Sequence, residues 1–300
     1  MPDSAMIPPK SILAAVDFSD SSRVALDFAA RLARHSGATL HVLHAEEPLL
    51  AAAANASGID LTRETREELA QFAHAVQSAA GLPLHYHVAT GRSATTICNA
   101  AAREQADLIV VGMHGMSGPA RSVFGSTTEG VLRAADTSVL VVPNTWMPPR
   151  TDSADLSGMG PVVAAIESTE PAVACAAAAC RLAAILGTSV DLLHVVPELP
   201  VLDKWRAHAE AVVSLGIEQA RRELTGVLPL LGATVPVALR VESGPVAQSI
   251  AAAVTPTGER HPILVLGRRT RARRLGAPGT TAYRVLTLTR VPLLLCLPDS

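Results

Sequence analysis

The chain alternates between two hydrophobic patterns. Short runs of about five apolar residues, bounded by Gly, Pro or charge, read as buried strands; longer stretches with apolar residues every three or four positions read as helices. The run Ile12 to Val16 ends in Asp17. A helix should follow, since Ser19 or Asp20 can cap it, Val24, Phe28 and Leu32 recur at helical spacing, and Gly37 stops it. A second strand is expected at Leu40 to His44, a long polar helix from about Thr62 to Ala80, and a third strand at Leu84 to Ala89. Thr90 and Gly91 lead into another helix, Leu108 to Gly112 forms the fourth strand, and a last helix precedes Val139 to Pro143.

The same order of parts then returns. Val162 to Ile166 ends in Glu167, a helix runs from about Pro171 to Gly187, and Val190 to His194 ends in Leu-His, as Leu40 to His44 does. A helix from about Trp205 to Leu228, a strand from Val235 to Val241, Ser243-Gly244 with its helix, and strands Ile263 to Gly267 and Pro292 to Pro298 complete the match. Residues 144–160 carry Pro, Gly, Ser and Asp without periodicity and read as a linker between domains at 1–143 and 161–300. Strands alternating with helices imply an α/β fold with a parallel sheet and right-handed crossovers. Strands apolar throughout imply a sheet covered on both faces. Each half is therefore expected to be an open, five-stranded, doubly wound sheet. Ligands of such sheets bind at the carboxyl ends of the strands, where the strand order reverses.

Composition narrows the functional classes. The chain of 300 residues is 49% hydrophobic, 17% charged and 3% aromatic, with a formal net charge of −2. The charge argues against a broad electrostatic surface for nucleic acid. No apolar run is long enough to span a bilayer, and Met1 to Lys10 lacks the apolar region of a secretory signal. A cytoplasmic location is the expectation. The four cysteines include no C-x-x-C pair. Cys175 and Cys180 are spaced onto different faces of an Ala-rich helix, so they read as buried small hydrophobes rather than metal ligands or a disulfide.

The candidate chemistry follows strands one and four of the first half. Strand four runs into Gly112-Met113-His114-Gly115-Met116-Ser117-Gly118-Pro119, and Phe124-Gly125-Ser126-Thr127-Thr128-Glu129 opens the last helix. Glycines let the backbone turn sharply and approach a ligand. Ser126 to Glu129 has capping-box form, and a helix start offers N–H groups and a positive dipole end to phosphate. Asp17 can accept hydrogen bonds from ribose hydroxyls or hold a divalent cation. His114 can reach ribose or phosphate, or be a solvated loop residue. Arg121 can neutralise phosphate, or be a surface charge.

Gly112-x2-Gly115-x9-Gly125-Ser126 resembles the nucleotide-binding signature of ATP-binding universal stress proteins. Ile12 to Ser19, Leu43-His44-Ala45 and Ser138 to Pro143 extend the resemblance over nearly all of residues 10–143, and more weakly over 161–298. It implies a tandem, Rossmann-like protein that binds ATP, or AMP or ADP, with Mg²⁺. Adenine contacts are implied from the backbone near Ala45 and around Asp17, and ribose contacts from Asp17 and Gly112. Phosphate contacts are implied from Gly115, Gly125, Ser126 and Thr127, with Met113, His114 and Thr128 completing the set. Ala15 stands where the family frequently has Pro, and Ala45 where it frequently has Val; both can meet the base through backbone or small apolar surface.

The second half departs from this pattern. Thr270 replaces the second glycine, the gap to Gly279 is one residue shorter, Glu167 replaces the aspartate, and Tyr283 stands in place of Glu129. A Cβ at position 270 restricts the backbone, so this half is expected to bind ATP poorly or not at all. Its loop carries Arg268, Arg269, Arg271, Arg273 and Arg274. These suit an anion site, an acidic partner, or a solvated loop; without interleaved aromatics they give little support to base recognition.

The reading is a nucleotide-binding regulatory protein of stress or growth-arrest responses, with an unidentified protein partner. The fifth strands are expected near a shared interface, making an intramolecular pseudo-dimer that can dimerise further. Slow ATP hydrolysis or phosphoryl transfer is the catalytic alternative, with Asp17, His114 and Arg121 as its candidates. A scaffold that binds no nucleotide is the third class. The chain has no Gly-x4-Gly-Lys-Ser/Thr loop and no Gly-x-Gly-x-x-Gly after strand one, which counts against Walker-type ATPases and NAD enzymes.

Overall fold

The computed structural model describes residues 9–115, 124–147, 156, 159–167, 171–198, 205–256, 261–267 and 280–297. The described residues of Pro8–Leu156 form one compact unit and those of Ser157–Ser300 the main body of another.

In the first unit the order is β1 (Ser11–Val16), α1 (Asp20–Ser36), β2 (Thr39–Glu46), α2 (Pro48–Ala56), α3 (Leu61–Ala80), β3 (Leu84–Thr90), α4 (Ser93–Arg103), β4 (Leu108–Gly112), α5 (Ser126–Ala134) and β5 (Ser138–Val142). The strands pair in parallel in the order β3-β2-β1-β4-β5. The order reverses between β1 and β4, so the crevice predicted for a ligand lies beyond Val16 and Gly112. Ile12, Leu13, Leu40, Val42, Ile109, Val110 and Leu140 are buried, as a sheet covered on both faces requires.

Local sequence explains the helix ends. Ser19 caps α1 by accepting the Ser22 N–H at 3.2 Å, and Gly37 ends it in the left-handed region at φ 72°. Helix α1 buries Leu26, Phe28, Ala29 and Leu32, and the Phe28 ring packs on Trp146 with centroids 4.9 Å apart. Helix α2 has no counterpart in the sequence reading. Its run of alanines after Pro48 favours helix by propensity, but it buries only Ala54 and leaves Leu49 and Leu50 exposed. No amphipathic period was there to be read.

The second unit repeats the plan with β6 (Met159–Ala165), α6 (Pro171–Leu186), β7 (Val190–Pro197), α7 (Arg206–Val227), a 3-10 turn (Leu228–Leu231), β8 (Val237–Gly244), α8 (Val246–Ala253), β9 (His261–Gly267), α9 (Thr280–Leu288) and β10 (Leu293–Cys296). Its strands pair in parallel in the order β8-β7-β6-β9-β10. Every residue from Cys175 to Cys180 on α6 is buried, so both cysteines are covered although they point to different sides. No helix of the described residues is long and apolar enough to cross a membrane.

Candidate functional site

Asp17 occupies the turn from β1 into α1. Its Oδ1 accepts from the Ser19 hydroxyl at 2.5 Å and the Ser19 N–H at 3.2 Å. The Asp17 N–H donates to Ser22 Oγ at 3.3 Å, and the Ser22 hydroxyl donates to the Ser19 carbonyl at 2.9 Å. Between Asp17 and Ser19, Phe18 takes φ 64°, a left-handed conformation that costs a bulky residue about 1–3 kcal/mol. Ring contacts offset that cost. Phe18 lies 4.5 Å from the His44 ring and meets Phe72 edge-on at 5.5 Å, while the Arg23 guanidinium sits 3.9 Å over Phe72. His44 donates its Nδ1–H to the Val16 carbonyl at 3.0 Å, tying the end of β1 to β2.

The glycine segments close against this turn. A Cβ on Gly115 would stand 2.6 Å from Asp17 Oδ2, and one on Gly125 would stand 3.2 Å from the Gly115 nitrogen. Asp17, Gly115 and Gly125 therefore meet at the reversal of strand order, where no side chain fits between them. Gly112 is pressed onto α1: a Cβ there would lie 2.7 Å from Ser21 Oγ. Its carbonyl accepts from the buried Thr128 hydroxyl at 2.7 Å. The Met113 N–H donates to Val142 and its carbonyl receives the Gly125 N–H at 3.0 Å, while the His114 N–H donates to Ser21 Oγ at 3.4 Å. The buried hydroxyls of Ser21 and Ser22 thus organise both sides of the site. The sequence reading passed over them, and two adjacent serines in the first turn of a helix beside an aspartate were the available signal.

The capping box expected at Ser126 is not formed. Gly125 is the cap residue, at φ −63° and ψ 150°, and its carbonyl accepts the Glu129 N–H at 3.0 Å. Ser126 is thereby the first helical residue, its hydroxyl does not cap the helix, and Glu129 pairs with Arg133 instead. Gly125 has no side chain with which to cap the first turn of α5. The N–H groups of Ser126, Thr127 and Thr128 have no acceptor within their own helix, at the positive end of its dipole. Ser126 is exposed and Thr127 half-buried.

Ala15 and Ala45 lie half-buried near the carboxyl ends of β1 and β2. Next to Ala45 the Glu46 carboxylate is buried. Its Oε2 accepts from the Thr62 and Thr90 hydroxyls, each at 3.1 Å, and its Oε1 has no partner among the described residues. Arg121 lies outside the described residues, as do Thr270, Gly279 and the five loop arginines.

The second unit keeps one part of this arrangement. His194 donates to the Ile166 carbonyl at 2.8 Å, as His44 does to Val16. Pro171 and Ala172 stand where the first unit has Ser21 and Ser22, and Glu167 is exposed. A Cβ on Gly267 would meet Cys175 Cβ at 3.8 Å, an ordinary contact.

A sequence model of the universal stress protein family matches residues 9–143. A universal stress protein of Bacillus subtilis is 32% identical over 143 residues, covering 44% of this chain and 97% of the relative. A universal stress protein A homolog of Coxiella burnetii is 32% identical over 146 residues, covering 46% of this chain and 96% of the relative. A solved universal stress protein of Archaeoglobus fulgidus superposes with TM-score 0.60 at 18% identity, over 97% of this chain and 99% of its own. A Pseudomonas aeruginosa structure of unknown function gives TM-score 0.63 at 20% identity, over 99% and 95%. These two structures share the fold of both halves, and the sequence relatives match across nearly their whole length. The chain belongs to the universal stress protein family.

Proposed function

We propose that the first half binds an adenine nucleotide, ATP or its lower phosphates, over the carboxyl ends of β1 and β4, and that the protein acts as a regulator in a stress response. The observation that carries this reading is the meeting of the Asp17 carboxylate with Gly115 and of Gly115 with Gly125, beside a helix start whose cap residue is a glycine. Backbone free of Cβ, next to first-turn N–H groups, suits an oxygen-rich polyanion. Asp17 Oδ2 would accept from ribose hydroxyls. Ala15 and Ala45 would border the base, and Gly115, Gly125, Ser126 and Thr127 would face the phosphates. Mg²⁺ arriving with ATP would neutralise phosphate charge. The second half, with Pro171 and Ala172 in place of the two serines, is proposed not to bind.

Calorimetric titration of ATP, with and without Mg²⁺, tests this against wild type and a Gly115→Val, Gly125→Val variant whose fold is checked by circular dichroism. One site per chain, lost in the folded variant, is the expected result. A stoichiometry of two would assign a site to the second half. No binding at millimolar ATP would overturn the reading.

A further inference from the structure

We infer that His41, His87 and Glu104 form a binding site for a divalent transition-metal ion of the zinc type, separate from the nucleotide reading. His41 is on β2, His87 on β3 and Glu104 directly follows α4. His41 pairs with His85 in the parallel ladder, and His87 pairs with Leu43. Strand alternation therefore puts His41, His85 and His87 on one face of the sheet. Leu13 is the register partner of His41, so the cluster lies about 13 Å along the strands from Asp17, at about 3.3 Å per residue.

The donor atoms already converge. His41 Nδ1 is 2.9 Å from His87 Nε2 and 3.8 Å from Glu104 Oε2, and one ligand atom from each residue fits within 4.8 Å of the others. Ligands of a tetrahedral zinc ion with bonds of about 2.0–2.1 Å stand about 3.3 Å apart. The two separations from His41 Nδ1, 2.9 and 3.8 Å, bracket that spacing, and three such ligands would leave a fourth position for water. The side chains are 12%, 21% and 21% exposed, which leaves a route of entry.

The chemical state of the donors agrees with the geometry. Burial lowers His41 and His87 below the ordinary histidine range, against the opposing pull of Glu104, and an ion would take the place of the proton that one of their two facing nitrogens gives the other. A hydrogen bond from Arg103 holds the Glu104 carboxyl below the usual carboxylate range, and that bond uses Oε1 at 2.7 Å. Oε2 is the oxygen nearer His41. Two imidazole nitrogens and one carboxylate suit zinc-like ions, whereas Mg²⁺ and Ca²⁺ take oxygen ligands. The described residues of the second half offer no equivalent. Arg240 holds the ladder position of His87 and pairs with Glu242, and Asp191 and Ala238 hold those of His41 and His85. One ion per chain is expected.

The test uses untagged full-length protein titrated with Co²⁺ by visible absorption, then with Zn²⁺ in competition. One Co²⁺ per chain, displaced by Zn²⁺, is expected. The signal should vanish in His41→Ala and His87→Ala and persist in His35→Ala, an exposed histidine on α1. Glu104→Gln should weaken binding at least about tenfold. Should an alanine variant lose its fold by circular dichroism, His87→Gln keeps a polar side chain of similar size without the imidazole. No Co²⁺ signal at millimolar metal overturns the site, as does full binding in a folded His87 variant.

Discussion

The first half ends β1 in an aspartate whose neighbours Ser19 and Ser22 bond back to it, and presses two glycines against that turn. The second half ends β6 beside an exposed Glu167, with Pro171 and Ala172 at the serine positions. Yet both halves share the strand order, and both tie the end of their first strand to a histidine of the second, His44 and His194. The difference separates what the fold requires from what a ligand site requires. Buried apolar strands and the histidine tether recur in both halves. Among the described residues, the serine pair at the crevice and the histidine cluster on β2 and β3 belong to the first half alone.

The largest effect that would sharpen this comparison is in the core. Phe28 is fully buried on Trp146, and Ala178 stands at the matching position of α6. Phe28→Ala should cost about 3–5 kcal/mol, measured by urea unfolding of the full chain. A loss below about 1 kcal/mol would mean that α1 tolerates the small side chains of α6 and that the two cores are equivalent.

A smaller effect should separate the two tethers. His194→Ala removes one hydrogen bond, worth about 1 kcal/mol. His44→Ala also removes the contact with Phe18, which adds about 0.5–1.5 kcal/mol and releases the left-handed turn that carries Asp17. Equal losses of stability in the two variants would break the claim that the first half uses its tether to hold Asp17.

The least effect should come from thiol reagents on the second half. The Cys296 thiol, by hydrogen bonding, and then burial raise the Cys175 thiol well above its ordinary range. A raised pKa keeps the thiol protonated in the folded state, and the thiolate is the reactive form, so alkylation at about pH 8 should spare it. Iodoacetamide labelling read by mass spectrometry should modify partly exposed Cys98 in native protein, and Cys175 and Cys296 only after denaturation. Labelling of Cys175 at the Cys98 rate would show that α6 opens readily.

Strands β1, β4, β5 and β9 were legible because each is a short apolar run, and α1 because Ser19 and Gly37 carry their own capping chemistry. Helix α2 was not, since alanine propensity leaves no period. At the candidate site, the glycine spacing and Asp17 pointed to one crevice, and the fold brings Asp17, Gly115 and Gly125 together there. The capping box did not form because a residue's place at a helix start depends on where the preceding backbone leaves the loop, and Gly125 takes the cap.

By itself the sequence determined the α/β class, the repeat of parts and the glycine segments, because hydrophobic period, capping chemistry and conformational freedom are local properties. Tertiary structure decided which distant groups meet. Parallel pairing of β2 with β3 brings His41 to His87, and the packing of α6 near β10 brings Cys175 to Cys296. The path of the chain from Gly112 to Gly115 sets Gly115 against Asp17. Parallel strands are joined by long crossovers, so the residues they bring together lie far apart in the chain and no local pattern marks them.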